Sequence, residues 1–225
     1  MSDEKEKLKV EFLKETEEMK EELKLAFKII IIGNPSVGKS SLIKRAIKNE
    51  FIENYSTTIG FEFLTMYIKV NDLKFKLNIW DTCGQEIYRS IIKAFYKNSV
   101  IAIIVYSVED KKSFEDINFW NNEIKKQTES DHPIFLIGNK SDSEERIISK
   151  EEAENYAICQ NFNFFMETSA KTGENIKEIF EEIAIYLYNE YKDISISKDD
   201  SSFGRMNDSI KLPNSKNIEK KKGCC

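Results

Sequence analysis

From Phe27 onward, short apolar runs alternate along the chain with longer amphipathic stretches. FKIIII opens the series and gives way to a helical stretch reaching about Asn49. FLTMYIKV and LKFKLNIW follow, joined at Asn71-Asp72. Then come VIAIIVYS, PIFLIGN and FNFFMETS, and a closing amphipathic helix near 174–191. Runs of this length, rich in Ile, Val and Phe and bounded by polar clusters, read as strands. Strands that alternate with helices predict an α/β domain: a six-stranded, mostly parallel sheet with helices on both faces. The two-residue Asn-Asp link predicts one antiparallel strand within it. Ahead of this pattern, residues 1–25 are dense in Glu and Lys. Leu8, Phe12, Met19 and Leu23 recur there at helical spacing without a broad apolar face, which predicts a charged helical extension. After Lys192 the chain turns polar, and residues 192–225 predict a flexible tail. The folded domain is expected over residues 26–191.

Composition adds limits. A chain of 225 residues, 40% of them hydrophobic, can bury one sizeable core, so a single domain with appendages is expected. No apolar run approaches the ~18 residues of a membrane span, and MSDEKEKLKVEF lacks the basic start and apolar stretch of a signal peptide. The protein is expected in the cytosol, with no nucleic-acid partner. Two of the four cysteines, Cys224 and Cys225, are adjacent at the end of the chain; the others, Cys83 and Cys159, are expected as free thiols.

Directly after the first apolar run stands Gly33-Asn34-Pro35-Ser36-Val37-Gly38-Lys39-Ser40. Two glycines let the backbone curl so that successive N–H groups and the following helix N-terminus face an anion. Lys39 adds a charge for the outer phosphates, and Ser40 offers a hydroxyl to Mg²⁺. Gly33, Ser36, Val37, Gly38, Lys39, Ser40 and Ser41 are therefore the candidate phosphate-binding residues. An ordinary glycine-containing turn would look similar, but the chain has only 8 Gly and both required ones fall on this motif. The cradle alone does not choose between a kinase, an ATPase and a GTPase.

The base is read elsewhere. After PIFLIG comes Asn139-Lys140-Ser141-Asp142, N-K-x-D. A carboxylate at Asp142 can accept from guanine N1–H and the 2-amino group together, whereas adenine offers no such donor pair. Thr168-Ser169-Ala170-Lys171 follows another run, and a backbone N–H there can reach the guanine carbonyl oxygen. Ser169, Ala170 and Lys171 join Asn139, Lys140 and Asp142 as candidate base-side residues. Between cradle and base sites lie FIENYSTTIG and WDTCGQE. Thr58 is placed to add a hydroxyl to Mg²⁺ and an N–H to the γ-phosphate, and Asp81 to hold a metal-bound water. Gly84 can bring its N–H against the γ-phosphate, and Gln85, the candidate catalytic residue, can orient the attacking water. The metal site is thus expected from Ser40, Thr58 and Asp81.

The order GNPSVGKS, Thr58, WDTCGQE, NKSD and TSAK resembles that of the Ras superfamily over roughly residues 26–191. Ile59-Gly60-Phe61-Glu62-Phe63, Lys76-Leu77-Asn78-Ile79-Trp80, Phe95-Tyr96-Lys97-Asn98 and Ile104-Val105-Tyr106-Ser107-Val108 narrow the resemblance to the Rab family of small GTPases. The resemblance implies the P-loop GTPase fold, GTP and GDP as bound substrate and product with Mg²⁺, and slow GTP hydrolysis in the absence of an activating protein. It further implies switching in vesicle traffic at the cytoplasmic face of an intracellular membrane, in exchange with cytosol. The implied partners are an exchange factor, a GTPase-activating protein, effectors, a Rab escort protein and a GDP-dissociation inhibitor. Phe51 would lie against the guanine edge and Tyr55 at the nucleotide. Phe63, Trp80 and Phe95 would form the patch that effectors read, although three such rings can equally serve to fill a sheet face. The C-terminal KKKGCC is similar to the Rab signal in which both Cys224 and Cys225 carry prenyl groups. Position 222 is lysine, so the C-a-a-X route is excluded. One departure bears on function: Pro35 stands where the family has a small residue beside the γ-phosphate, and its ring competes for the space of Gln85. That leaves open a GTP-loaded, membrane-anchored binding module with little hydrolysis.

Overall fold

The computed structural model describes residues 8–16, 25–53, 60–82, 96–128 and 132–196; the tail lies outside them. Seven strands make one sheet: β1 (Val10–Leu13), β2 (Ala26–Ile32), β3 (Phe61–Val70), β4 (Leu73–Thr82), β5 (Ile101–Ser107), β6 (Ile134–Asn139) and β7 (Phe164–Glu167). Their order across the sheet is β1-β3-β4-β2-β5-β6-β7. β3 alone runs against the rest, pairing antiparallel with β4 and with β1, while the other neighbours pair in parallel. The single antiparallel strand is as expected, and its turn uses Asn71 at φ 49, a left-handed conformation that asparagine tolerates.

The strand count needs correction. Six were expected and seven are present, because Val10–Leu13, inside the stretch whose spacing suggested a helix, is a strand. It pairs from Val10↔Val70 to Leu13↔Tyr67. The main chain of Lys9 and the N–H and side chain of Asn71 also bond reciprocally at 3.0 and 3.1 Å. Tyr67 donates its hydroxyl to Glu15 at 2.8 Å. A short helix without a broad apolar face gains little in water. The edge of β3 offers unpaired backbone groups together with a core surface on which Leu8 and Val10 pack, and that tertiary partner overrides the local periodicity.

The helices are α1 (Lys39–Lys48), α2 (Lys111–Glu115), α3 (Ile117–Gln127), α4 (Lys150–Cys159) and α5 (Ile176–Ile196). Because strand side chains alternate, FKIIII serves two cores. Phe27, Ile29 and Ile31 pack with Leu42 and Ile43 of α1 and with Ile179, Phe180 and Ile183 of α5. Ile30 and Ile32 pack with Trp120 and Ile124 of α3 and Ala153 and Ala157 of α4. A sheet buried on both faces explains why these strands read as continuous apolar runs. The carboxyl ends of β2, β4, β6 and β7 then lie along one edge, and each carries or adjoins one of the sequence motifs.

Candidate functional site

The loop after β2 is built around two close approaches. A β-carbon on Gly38, at φ 93, would collide with Nδ2 of Asn139, and one on Gly33 would collide with the carbonyl of Val105. Only glycine allows the cradle to sit against the ends of β5 and β6. Ser36 holds φ 62 without being glycine, and Pro35 and Ser36 form the exposed tip while Val37 is buried. Gly38 caps α1 with no side-chain bond to the helix. The first-turn N–H groups therefore have no intrahelical acceptor, the arrangement that attracts an anion. Lys39 is buried and reaches back over the loop, donating to the carbonyls of Gly33 at 3.0 Å and Asn34 at 2.8 Å. Ser41 is half-buried on the same helical turn.

Ser40 and Asp81 face each other at the floor of the site. The Ser40 hydroxyl donates to Oδ2 of Asp81, while Oδ1 of the same carboxylate is buried with no hydrogen-bond partner. Burial pushes the Asp81 carboxyl up to about 6, against the lowering effects of the Ser40 hydroxyl and the Lys39 charge. An orphaned carboxylate oxygen beside a serine hydroxyl is a pair of oxygen donors suited to a small hard cation. Mg²⁺ in nucleotide sites takes few protein ligands and completes its shell with water and phosphate oxygens.

On the base side, Asn139 at the end of β6 is fully enclosed. Its Nδ2 donates to the carbonyl of Val37 at 2.8 Å, and its Oδ1 accepts from the Ala170 N–H at 3.2 Å and the Thr168 hydroxyl at 3.4 Å. One side chain thereby joins the phosphate loop, the N-K-x-D turn and the TSAK turn. The Ser169 hydroxyl donates to Oδ1 of Asp142 at 2.5 Å and accepts from the Thr172 N–H at 3.0 Å. This bond orients a carboxylate that is otherwise exposed. Lys140, at φ 66, pairs with Glu109 at 2.6 Å, and the Ser143 hydroxyl reaches the other oxygen of Glu109 at 2.8 Å. The hydrogen bond from Lys140 is the main cause holding the Glu109 carboxyl below its ordinary value. Lys171 is exposed, and Phe51 is half-buried just beyond Asn49, the C-cap of α1.

The expected aromatic patch is partly assembled. Phe63 and Trp80 are directly opposed across β3 and β4, their rings edge to face at 5.3 Å. Phe61 stacks on Trp80 at 5.3 Å, and Lys28 lies over the indole at 4.8 Å. Phe61 and Phe63 are both exposed, while the half-buried Trp80 packs on the core beneath them, so the cluster presents two rings to the surface on a core-anchored third. Tyr55, Thr58, Gly84, Gln85, Phe95, Cys224 and Cys225 lie outside the described residues, as does Cys83; Cys159 is exposed near the end of α4.

Several contributors carry no motif of their own. Arg45 donates to the carbonyls of Ala170, at 2.9 Å, and Lys171, tying α1 to the TSAK turn. Glu109, which holds Lys140, was likewise not singled out by the sequence. Only the short Val-Glu-Asp turn after β5, next to the motif strands, hinted at Glu109.

Comparison with known proteins agrees with this geometry. The model of the Ras family matches residues 28–189. The chain is 37% identical over 202 residues to the Ras-related protein RABA1b of Arabidopsis thaliana, covering 88% of this chain and 93% of that protein. It is 44% identical over 158 residues to RABF2a of the same plant, covering 70% of this chain and 78% of that one. To the Ras-related protein Rab11B of Nicotiana tabacum it is 41% identical over 163 residues, covering 72% and 75%.

Proposed function

Because the chain belongs to the Ras family, and within it to the Rab group of small GTPases, we propose that it alternates between GDP- and GTP-bound states and recruits effectors that regulate vesicle traffic. The observation that supports this reading is the bond from Asn139 to Val37, which ties the N-K-x-D turn to the G-x-x-x-x-G-K-S loop. In the bound state the N–H groups at the start of α1 face the phosphates, and Lys39 supplies positive charge from within the loop. Asp142, oriented by Ser169, accepts from the guanine N1–H and 2-amino groups, and an adenine there would leave the carboxylate unpaired. Ser40 and Asp81 would hold Mg²⁺, which when bound neutralises charge on the β- and γ-phosphate oxygens. Gln85 is the residue proposed to orient the attacking water. Thr58 and Gly84 are proposed to sense the third phosphate, so that its loss releases both loops.

The Phe61, Phe63 and Trp80 cluster is the proposed effector surface, with Phe95 completing it. Cys224 and Cys225 are the proposed prenylation sites. Two lipid chains hold a membrane where one binds reversibly, and Lys216 and Lys220 to Lys222 add attraction to anionic lipid. Among the described residues no helix is long and apolar enough to cross a membrane, which suits attachment by the tail. Pro35, exposed at the tip of the cradle, favours a second reading in which the protein stays GTP-loaded and hydrolyses little. Single-turnover hydrolysis with GTP, with ATP as competitor, separates these readings. Turnover of GTP that ATP does not inhibit supports a working GTPase; tight GTP binding without turnover supports the binding module; and failure to prefer guanine overturns both.

A further inference from the structure

Asn34, the second residue of the phosphate loop, is held by a helix that carries no nucleotide motif. Its Nδ2 donates to Oδ2 of Asp116 at 2.8 Å, and its Oδ1 accepts from the indole Nε1–H of Trp120 at 2.9 Å. Both partners are more than eighty positions away in sequence, and Trp120 is almost wholly buried. Asp116 occupies the N-cap position of α3 yet makes no side-chain cap bond to that helix. It forgoes the bond that aspartate commonly makes there and turns its carboxylate to Asn34 and to the ammonium of Lys112, 2.6 Å away. On the main-chain side, the Asn34 carbonyl accepts from Lys39 Nζ at 2.8 Å.

We propose that Asn34 is a positioning residue of the phosphate cradle, its amide clamped between Asp116 and Trp120 so that its carbonyl fixes Lys39 and the loop keeps its anion-binding shape. The need for such a clamp is local. Pro35 cannot donate an N–H and restricts the residue before it, and Ser36 sits in the left-handed region that non-glycine residues disfavour. The tip therefore adopts a conformation that its own residues do not favour, and the contacts from Asp116 and Trp120 hold it through the Asn34 side chain. The clamp also explains the residue type. One side chain must donate to a carboxylate and accept from an indole N–H at once, which an amide does and a carboxylate does not.

The proposal rests on the nucleotide-binding reading of the site, and the tests keep the two apart. The full chain is loaded with a fluorescent GDP analogue and its release rate measured. Asn34→Asp sets two carboxylates against each other and should speed release roughly tenfold. Asn34→Asp combined with Asp116→Asn reverses the polarity of the bond, because the carboxylate now on the phosphate loop accepts both from the amide now at the start of α3 and from the Trp120 indole. Release should then return to within about twofold of the parent. A general loss of stability would not be repaired by that exchange. Unchanged release in Asn34→Asp, or no recovery in the double variant, overturns the clamp while leaving guanine binding intact. Failure of the parent chain to bind GDP would instead defeat the site reading. The clamp itself is then read without nucleotide, from the Trp120 indole N–H resonance. Slow solvent exchange that Asn34→Ala abolishes supports it, and fast exchange in the parent chain overturns it.

Discussion

Asn139 donates from Nδ2 to the main-chain carbonyl of Val37 at 2.8 Å, across 102 positions of sequence, and Gly38 beside it has no room for a β-carbon because of that same amide. The N-K-x-D turn, the proposed reader of the base, is therefore built onto the loop proposed to hold the phosphates. Replacing Asn139 with Ala would strand the Val37 carbonyl and the Ala170 N–H in a buried place. Each unsatisfied buried group costs about 1–3 kcal/mol, so Asn139→Ala should lower stability by several kcal/mol and speed GDP release. Denaturant unfolding with and without GDP measures both. A variant with parental stability would mean that the three loops are held together by other contacts.

Asp142 is exposed except for the bond from Ser169, so its replacement should leave the fold intact. Asp142→Asn keeps an oxygen for Ser169 but loses one acceptor for the guanine donor pair. GDP affinity should fall about tenfold or more, the scale of a charge-assisted bond, while thermal unfolding of the nucleotide-free chain stays unchanged. Titration with GDP checks the first part and calorimetry the second.

Pro35 and Gln85 offer changes of opposite sign. If the proline ring crowds the water-orienting group, Pro35→Gly should quicken single-turnover GTP hydrolysis, and Gln85→Leu should slow it by about tenfold or more. An unchanged rate in Gln85→Leu would favour the GTP-loaded binding module.

The Asp81 carboxyl is pushed up to about 6 by burial, from an ordinary 3.8. In the metal-free protein the folded state thus holds this proton more tightly than the unfolded chain does. Its contribution is most favourable below about pH 4 and declines as pH rises through 4 to 6, by up to about 3 kcal/mol. Asp81→Asn should flatten that segment of the stability curve, measured by denaturant unfolding in a chelator. With Mg²⁺ and GDP present that decline should vanish and stability should instead fall below about pH 4, because a bound cation favours the carboxylate.

The strand Val10–Leu13 covers part of the β3 edge, and Leu8 and Val10 pack on the core. Removing residues 1–16 should cost about 2 kcal/mol for two partly buried side chains and leave a longer free edge. Concentration-dependent association should follow, visible by light scattering. A truncated chain as stable and monomeric as the parent would show that β1 contributes nothing to stability or to covering the edge.

What was legible in the sequence had local causes. FKIIII followed by GNPSVGKS could be read because a strand buried on both faces, two glycines and a lysine each leave a short-range mark. NKSD and TSAK could be read for similar reasons, since each follows directly on an apolar run. The resemblance to the Rab family rested on those same stretches, and the matches to Ras-related proteins agree with it. The resemblance groups Phe63, Trp80 and Phe95 in one patch, whereas the exposure of Phe63 and the half-burial of Trp80 against the core belong to the folded hairpin.

The remaining features depend on which distant segments meet. VEFL is a strand because the β3 edge needed a partner, and no periodicity within residues 1–25 contains that edge. Glu109 holds Lys140, Arg45 holds the TSAK turn, and Asp116 with Trp120 holds Asn34, each across a gap that only the packed sheet closes. By itself, then, the sequence determined the class of fold, the order of the strands from Phe27 onward, and the kinds of chemical group brought to phosphate and base, because backbone preference and motif spacing are properties of neighbours along the chain. The tertiary structure decided how rigidly those groups are held and by which residues. A hydrogen bond between remote side chains exists only once burial has removed the competing water and fixed the distance.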